Sequence, residues 1–137
     1  MVSIAKCCCG QSSIKIQGRP LINAVCHCAD CKKRTGSAFG ISVYVKEDQV
    51  IEVSRNTQTY TLETETGVIQ HRSFCKSCGT TLYWQASSFP GLRGIAGGCF
   101  ADAGVKEPEY SFSNENACSW LKLPSSWSDK ITLDEYI

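Results

Sequence analysis

The hexapeptide Cys26-His27-Cys28-Ala29-Asp30-Cys31 carries three thiols in a C-x-C-x-x-C spacing. Thiolates bind Zn²⁺ at about 2.3 Å, so three of them on one ion require a tight turn. The spacing provides it. In an extended Cys26–Cys28 segment both thiols point to one side and His27 to the other. The x-x step to Cys31 then turns the chain and brings the third thiol round. Three protein ligands leave one tetrahedral position open, as in catalytic zinc sites, whereas structural sites are closed by four. A chain with this hexapeptide must fold so that one turn presents an open metal.

The other cysteines extend the pattern. There are 10 in 137 residues, and a secreted disulfide scaffold is the first alternative. Met1 to Lys6 contains no apolar signal core before the first cysteine, so nothing directs the chain to an oxidising compartment. Cysteines two or three positions apart make strained disulfides but good metal pairs. We therefore expect metal, in a cytoplasmic protein.

Three clusters hold the candidate ligands: Cys7 and Cys9; Cys26, Cys28 and Cys31; Cys75 and Cys78. Joining the two pairs gives one closed four-ligand site and leaves the triple cluster open. The other partitions, such as a pair completing the triple cluster, leave a stray pair. The favoured partition implies two zinc ions per chain, one structural and one catalytic, with the structural one tying the N-terminus to the middle of the chain. Cys8 alternates away from its neighbours. Cys99 and Cys118 read as small buried hydrophobes, with Cys99 as fourth ligand of the open site the sharper alternative. His27, between two ligands, is the candidate proton carrier, against the reading of a satisfied structural histidine. His71 reads as core or surface, and Asp30 as a local acceptor in the metal turn.

Charge narrows the partners. The net charge is +1, and Lys32-Lys33-Arg34 is the one basic run. Nucleic acid and anionic membranes call for a concentrated basic surface, so both are disfavoured. No apolar run approaches the roughly 20 residues of a membrane span. A run of three cations is ordinarily a solvated face, but its place directly after Cys31 makes it a candidate for binding an anionic substrate.

Patterning predicts a mostly β chain folded as one domain over residues 1–137. Ser13 to Gln17 alternates apolar and polar residues, as a half-buried strand does. Leu21–Val25, Phe39–Val45, Val50–Val53, Val68–Phe74, Thr80–Gln85 and Tyr110–Phe112 read as further strands. The Thr-rich stretch between Arg55 and Gly67 fits a hairpin with a polar face. Gly94 to Phe100 reads as an apolar strand whose Gly97-Gly98 permits close approach. Lys32 to Arg34 fits a helical turn stopping at Gly36. Trp120 and Trp127 lie in a tail that wraps the domain.

Three motifs together resemble a known family. They are Cys7-Cys8-Cys9-Gly10, then Cys26-His27-Cys28-Ala29-Asp30-Cys31-Lys32-Lys33-Arg34-Thr35-Gly36, then Phe74-Cys75-Lys76-Ser77-Cys78-Gly79. The chain is similar in these to the glutathione-dependent formaldehyde-activating enzymes, which include centromere protein V-like proteins. The resemblance runs from residue 7 to about 125 and weakens after Trp84. It implies small antiparallel sheets in a tent-like arrangement around a structural zinc on Cys7, Cys9, Cys75 and Cys78. It implies a catalytic zinc on Cys26, Cys28 and Cys31, and carbon–sulfur lyase or synthase chemistry on a glutathione adduct such as S-hydroxymethylglutathione.

That chemistry suits an open three-thiolate site, which is a poor Lewis acid but can hold a substrate thiol ionised. Addition to formaldehyde then needs a proton, from His27 or a water it orders. Lys32, Lys33 and Arg34 would bind glutathione's carboxylates, Arg34 as the best fork. The rival readings are a non-enzymatic zinc-stabilised binding module and an iron tetrathiolate, which colour would reveal.

Overall fold

The structure, a computed structural model, describes residues 1–130. The expected domain span of 1–137 extends beyond them. The strands in chain order are β1 (Val2–Lys6), β2 (Ser13–Gln17), β3 (Ile22–Cys26), β4 (Gly40–Lys46), β5 (Val50–Val53), β6 (Thr57–Glu63), β7 (Ile69–Cys75), β8 (Thr81–Ala86), β9 (Leu92–Ala96) and β10 (Tyr110–Phe112), with helix α1 (Ala29–Thr35) between β3 and β4. They form a three-stranded sheet, β1-β2-β5, and a seven-stranded sheet, β10-β3-β4-β9-β8-β7-β6. The chain is mostly β, as expected, and the pairings between these strands are antiparallel except that β10 runs parallel to β3.

The alternation of β2 places Ile14 and Ile16 inward, fully buried, while Lys15 and Gln17 face out. These isoleucines and Ala5 of β1 pack on Val43 and Val45 of β4, Leu82 of β8 and Ile95 of β9. This core joins the two sheets, and each fully buried aliphatic side chain contributes about 1.5–3 kcal/mol. Strand β4 is buried on both faces. Its Tyr44 points the other way, into a second cluster with Ile22, Ala24 and Leu92. Opposite Tyr44, a Cβ on Gly94 would overlap the Trp84 indole, so only glycine admits that ring.

Three expectations are corrected. The Thr-rich stretch does not fold on itself: it is the single strand β6, and its hairpin partner is β7, across a Thr64–Gly67 turn. Gly67 adopts φ 84°, which sets the turn there. The strand proposed for Gly94–Phe100 ends at Ala96. Residues Gly97–Phe100 form a 3₁₀ turn, because Gly97 sits hard against Ile41, leaving no room for a side chain in the sheet. The N-terminus, for which no strand was predicted, is strand β1, paired with β2 along its length. Among the described residues no helix is long and apolar enough to cross a membrane.

An ion pair at the end of β4 provides a pH test. The Glu47 carboxylate accepts from Arg93 Nε and Nη2, each at 2.9 Å, and from Gln85 at 3.0 Å. Burial raises its pKa, but the Arg93 and Gln85 contacts outweigh this and the net shift is downward. A depressed folded-state pKa contributes stability above the unfolded value, 4.5, that is lost as pH falls through the folded value. Glu47→Gln is expected to cost about 1 kcal/mol at neutral pH, the pair being partly exposed. Urea melts should show the gap to wild type narrowing below pH ~4.5.

Candidate metal centres

Two turns carry the first centre. Cys7 and Cys9 leave β1 through a turn closed by Gly10 N–H donating to the Cys7 carbonyl at 3.1 Å. Cys75 ends β7, and Gly79 N–H donates to its carbonyl at 2.9 Å. Both glycines have positive φ, 78° and 77°, which L side chains rarely adopt. The four sulfurs of Cys7, Cys9, Cys75 and Cys78 lie within 4.8 Å of one another. Cys9 Sγ stands 3.6 Å from Cys7 Sγ and 3.7 Å from Cys75 Sγ. Tetrahedral sulfurs at 2.3 Å from a zinc would stand about 3.8 Å apart, so the arrangement fits one.

The surroundings favour thiolates at Cys75 and Cys78, whereas Cys9, despite the Gln11 backbone contact, is pushed up to about 12 by burial and the neighbouring thiols. Ser12 N–H donates to Cys7 Sγ at 3.2 Å, Ser77 N–H to Cys75 Sγ at 3.4 Å, and Asn56 Nδ2 to Cys75 Sγ at 3.7 Å. The Thr80 hydroxyl beside Cys78 lowers its pKa to about 5. Cys7 and Cys75 are buried, whereas Cys9 and Cys78 are exposed. The cluster thus joins the end of the three-stranded sheet to the hairpin of the larger one.

The second group is Cys26, Cys28 and Cys31, whose sulfurs also lie within 4.8 Å of one another. Cys26 ends β3, and Cys28 caps α1, its sulfur accepting from Cys31 N–H at 3.3 Å. A cap sulfur at a helix N-terminus is favoured as an anion. Hydrogen bonds from the neighbouring thiols are the larger effect. Cys26 and then Cys31 hold the Cys28 thiol down to about 2, and the same contacts push Cys26 and Cys31 up. The three thiols thus oppose one another's ionisation, and a cation among them would favour it. Helix α1 ends where predicted, with Gly36 left-handed at φ 64° as its C-cap.

This triad borders a cavity of about 630 Å³, and the four-cysteine cluster does not. Lys32, Lys33 and Arg34 line the same cavity. Lys32 Nζ donates to the Asn116 carbonyl at 2.6 Å, so it also ties α1 to the segment after β10. Arg34 turns inward. Its guanidinium stacks on the Trp84 ring at 4.5 Å, and a Cβ on Gly40 would lie 2.6 Å from its Nη2 and 3.2 Å from Cys31 Cβ. The absence of a side chain at Gly40 is what admits Arg34 beside Cys31.

Sequence reasoning missed four residues of this wall: Arg72, Trp84, Tyr44 and Ser113. The Tyr44 hydroxyl accepts from Trp84 Nε1 at 3.2 Å, and burial pushes its pKa up to about 12. Ser113, the one non-glycine with positive φ among the described residues (56°), brings its hydroxyl 4.0 Å from Cys26 Sγ. No local motif marks these positions, since each comes from a different strand or loop.

His27 points away from the thiols, as the alternation predicts, and its ring does not border the cavity. It is fully buried, edge-on to Phe39 at 5.8 Å. The Ser111 hydroxyl donates to Asn114 Oδ1 at 2.6 Å, so His27 Nε2–H donates to Ser111 Oγ at 3.1 Å. Nδ1 is left buried without a partner. Burial, with Lys32 nearby, lowers the His27 pKa and keeps the ring neutral. His71 is exposed and bonded to Thr61 at 2.8 Å. Among the described residues Cys99 joins neither group; it packs half-buried against the core, its pKa raised to about 11 by burial. Cys8 is exposed and Cys118 half-buried. In the tail, Trp120 is largely exposed, while Trp127 Nε1 is buried without a partner.

No curated protein matches the chain. Solved structures do, among them the crystal structure of a Rhodobacter sphaeroides protein. It is 22% identical, with a TM-score of 0.55, over 72% of this chain and 87% of that one. At that identity the likeness speaks for the fold. The model of one family, the glutathione-dependent formaldehyde-activating enzymes, matches residues 2–116. That span takes in both cysteine groups and every described strand, so the chain belongs to the glutathione-dependent formaldehyde-activating enzyme family.

Proposed function

We propose that the protein is a zinc-dependent carbon–sulfur lyase or synthase acting on a glutathione adduct such as S-hydroxymethylglutathione. The observation that carries this reading is the contrast between the two centres: the three-cysteine group borders the large cavity, and the four-cysteine group does not. Zinc on Cys7, Cys9, Cys75 and Cys78 is structural. A second zinc on Cys26, Cys28 and Cys31 would take a substrate thiol as its fourth ligand and keep it ionised at neutral pH.

The chain's own residues do the rest. Lys33 and Arg34 hold glutathione's carboxylates, with Lys32 at the rim. The substrate sulfur adds to the formaldehyde carbon; the C–S bond forms as the C=O π pair moves to oxygen. That oxygen takes a proton. Tyr44, kept protonated by burial, can donate it directly or through a water, and is reprotonated from solvent. His27 acts at one remove. Through Ser111 and Asn114 it holds the turn that carries Ser113 to Cys26. Cleavage is the same path reversed.

Exchange of formaldehyde with glutathione, followed by NMR, should be faster with wild-type protein than with Cys31→Ser. Because the uncatalysed exchange is quick, the comparison with that variant is the decisive one. Equal rates, together with a cobalt-substituted protein whose spectrum ignores added glutathione, would overturn the enzyme reading in favour of a zinc-stabilised binding module. Thiol-dependent charge-transfer bands without exchange would keep the thiol site and exclude formaldehyde.

A further inference from the structure

Two arginines in the cavity wall flank Trp84, and among the described residues neither has an ion-pair partner. Arg34 stacks on one face of Trp84, and Arg72 of β7 pairs with Trp84 across the β7–β8 ladder. Arg34 Nη2 is buried and has no hydrogen-bond partner. Arg72 is half-buried; its Nε donates to Gln70 Oε1 at 2.9 Å. Asp30, Glu65 and Glu115 line the same cavity, yet among the described residues neither arginine forms an ion pair. Burial and the repulsion of Arg34 both lower the Arg72 pKa, while Cys31, Asp30 and Cys28 raise it. Both cations therefore stand near the three-cysteine group.

Two like charges held close in a partly desolvated wall are costly unless an anion bridges them. Planar guanidiniums suit the two oxygens of a carboxylate. Stacking on Trp84 keeps Arg34 flat and leaves its edge for that purpose. We infer that Arg34 and Arg72 form a carboxylate subsite beside the three-cysteine group, so that the protein selects thiols that carry a carboxylate over neutral ones. The inference rests on the thiol-binding reading and adds to it a specificity-determining residue, Arg72, that no motif marks.

The alternative is that the arginines only offset the charge of the thiolates. Titration calorimetry of the zinc-loaded protein with S-methylglutathione, which has the carboxylates but no free thiol, separates the two. Wild type should bind it. Arg72→Gln should weaken that binding by about tenfold or more, as expected for loss of a charge-assisted contact, with Arg72→Lys recovering part. The preference of cobalt-substituted protein for glutathione over 2-mercaptoethanol should fall by a similar factor in Arg72→Gln. No binding of S-methylglutathione by wild type would overturn the subsite, as would equal affinity in the folded Arg72 variants. So would a loss in Arg72→Gln that is as large for 2-mercaptoethanol as for glutathione, which is the charge-offset result. If glutathione itself leaves the wild-type cobalt spectrum unchanged while S-methylglutathione binding still depends on Arg72, the thiol reading fails and the carboxylate subsite stands.

Discussion

Cys75→Ser is expected to leave no stably folded protein. Cys75 is fully buried at the end of β7. Its sulfur accepts from Asn56 and Ser77 and lies in the group that joins the two sheets. For a closed zinc site the binding free energy, about 10–16 kcal/mol, is folding free energy. A whole domain is stable by only about 5–15 kcal/mol. Losing one of four ligands also leaves buried Cys7 among thiolates that no longer share a full-strength cation. Cys31→Ser should behave differently. It sits in a three-ligand group on a cavity wall, and its loss should cost one metal and the thiol site while the chain stays folded. Elemental analysis should approach two zinc ions per wild-type chain and one per Cys31→Ser chain. Melting curves should separate the two variants by far more than their error. Equal destabilisation would make both metals structural.

Trp84→Ala should be the most damaging change away from the cysteines. The indole is 3% exposed and edge-on to Tyr44 at 6.3 Å. It donates to the Tyr44 hydroxyl and carries Arg34 on its face. Removing a buried Trp costs about 3–5 kcal/mol. In a chain of this size that lowers Tm by roughly 10–20 °C. The effect has a second part. Without the ring, Arg34 loses its support and Tyr44 its donor, so glutathione binding should weaken in whatever fraction stays folded. Trp84→Phe keeps most of the apolar volume and a face for Arg34, and should recover more binding than stability. Denaturant melts of both variants beside glutathione titrations would check this. Unchanged binding in Trp84→Ala would remove the indole from the site.

Both variants bear on residues that were legible to different degrees. The candidate ligands could be read directly from the chain, because bringing neighbouring thiols together at one turn is a local problem. The C-x-C and C-x-x-C spacings and the glycine after each pair already contain the geometry, and the structure groups the seven thiols into the same four and three. Alternation likewise predicted that His27 would face away from the thiols. Strand β2 and the end of α1 followed from patterns a few residues long.

What surrounds the open group was not legible, for the opposite reason. Arg72, Trp84 and Tyr44 become neighbours only because β7, β8, β9 and β4 lie side by side in one register. A shift of one residue would turn each side chain to the other face. Gly94 and Gly40 look like ordinary strand glycines until the Trp84 ring and Arg34 fill the space their side chains would occupy. The sequence alone determined which thiols share a turn, because the C-x-C and C-x-x-C spacings span a few residues. Only the tertiary structure decided which centre meets a cavity and what lines it, because those contacts cross the sheet.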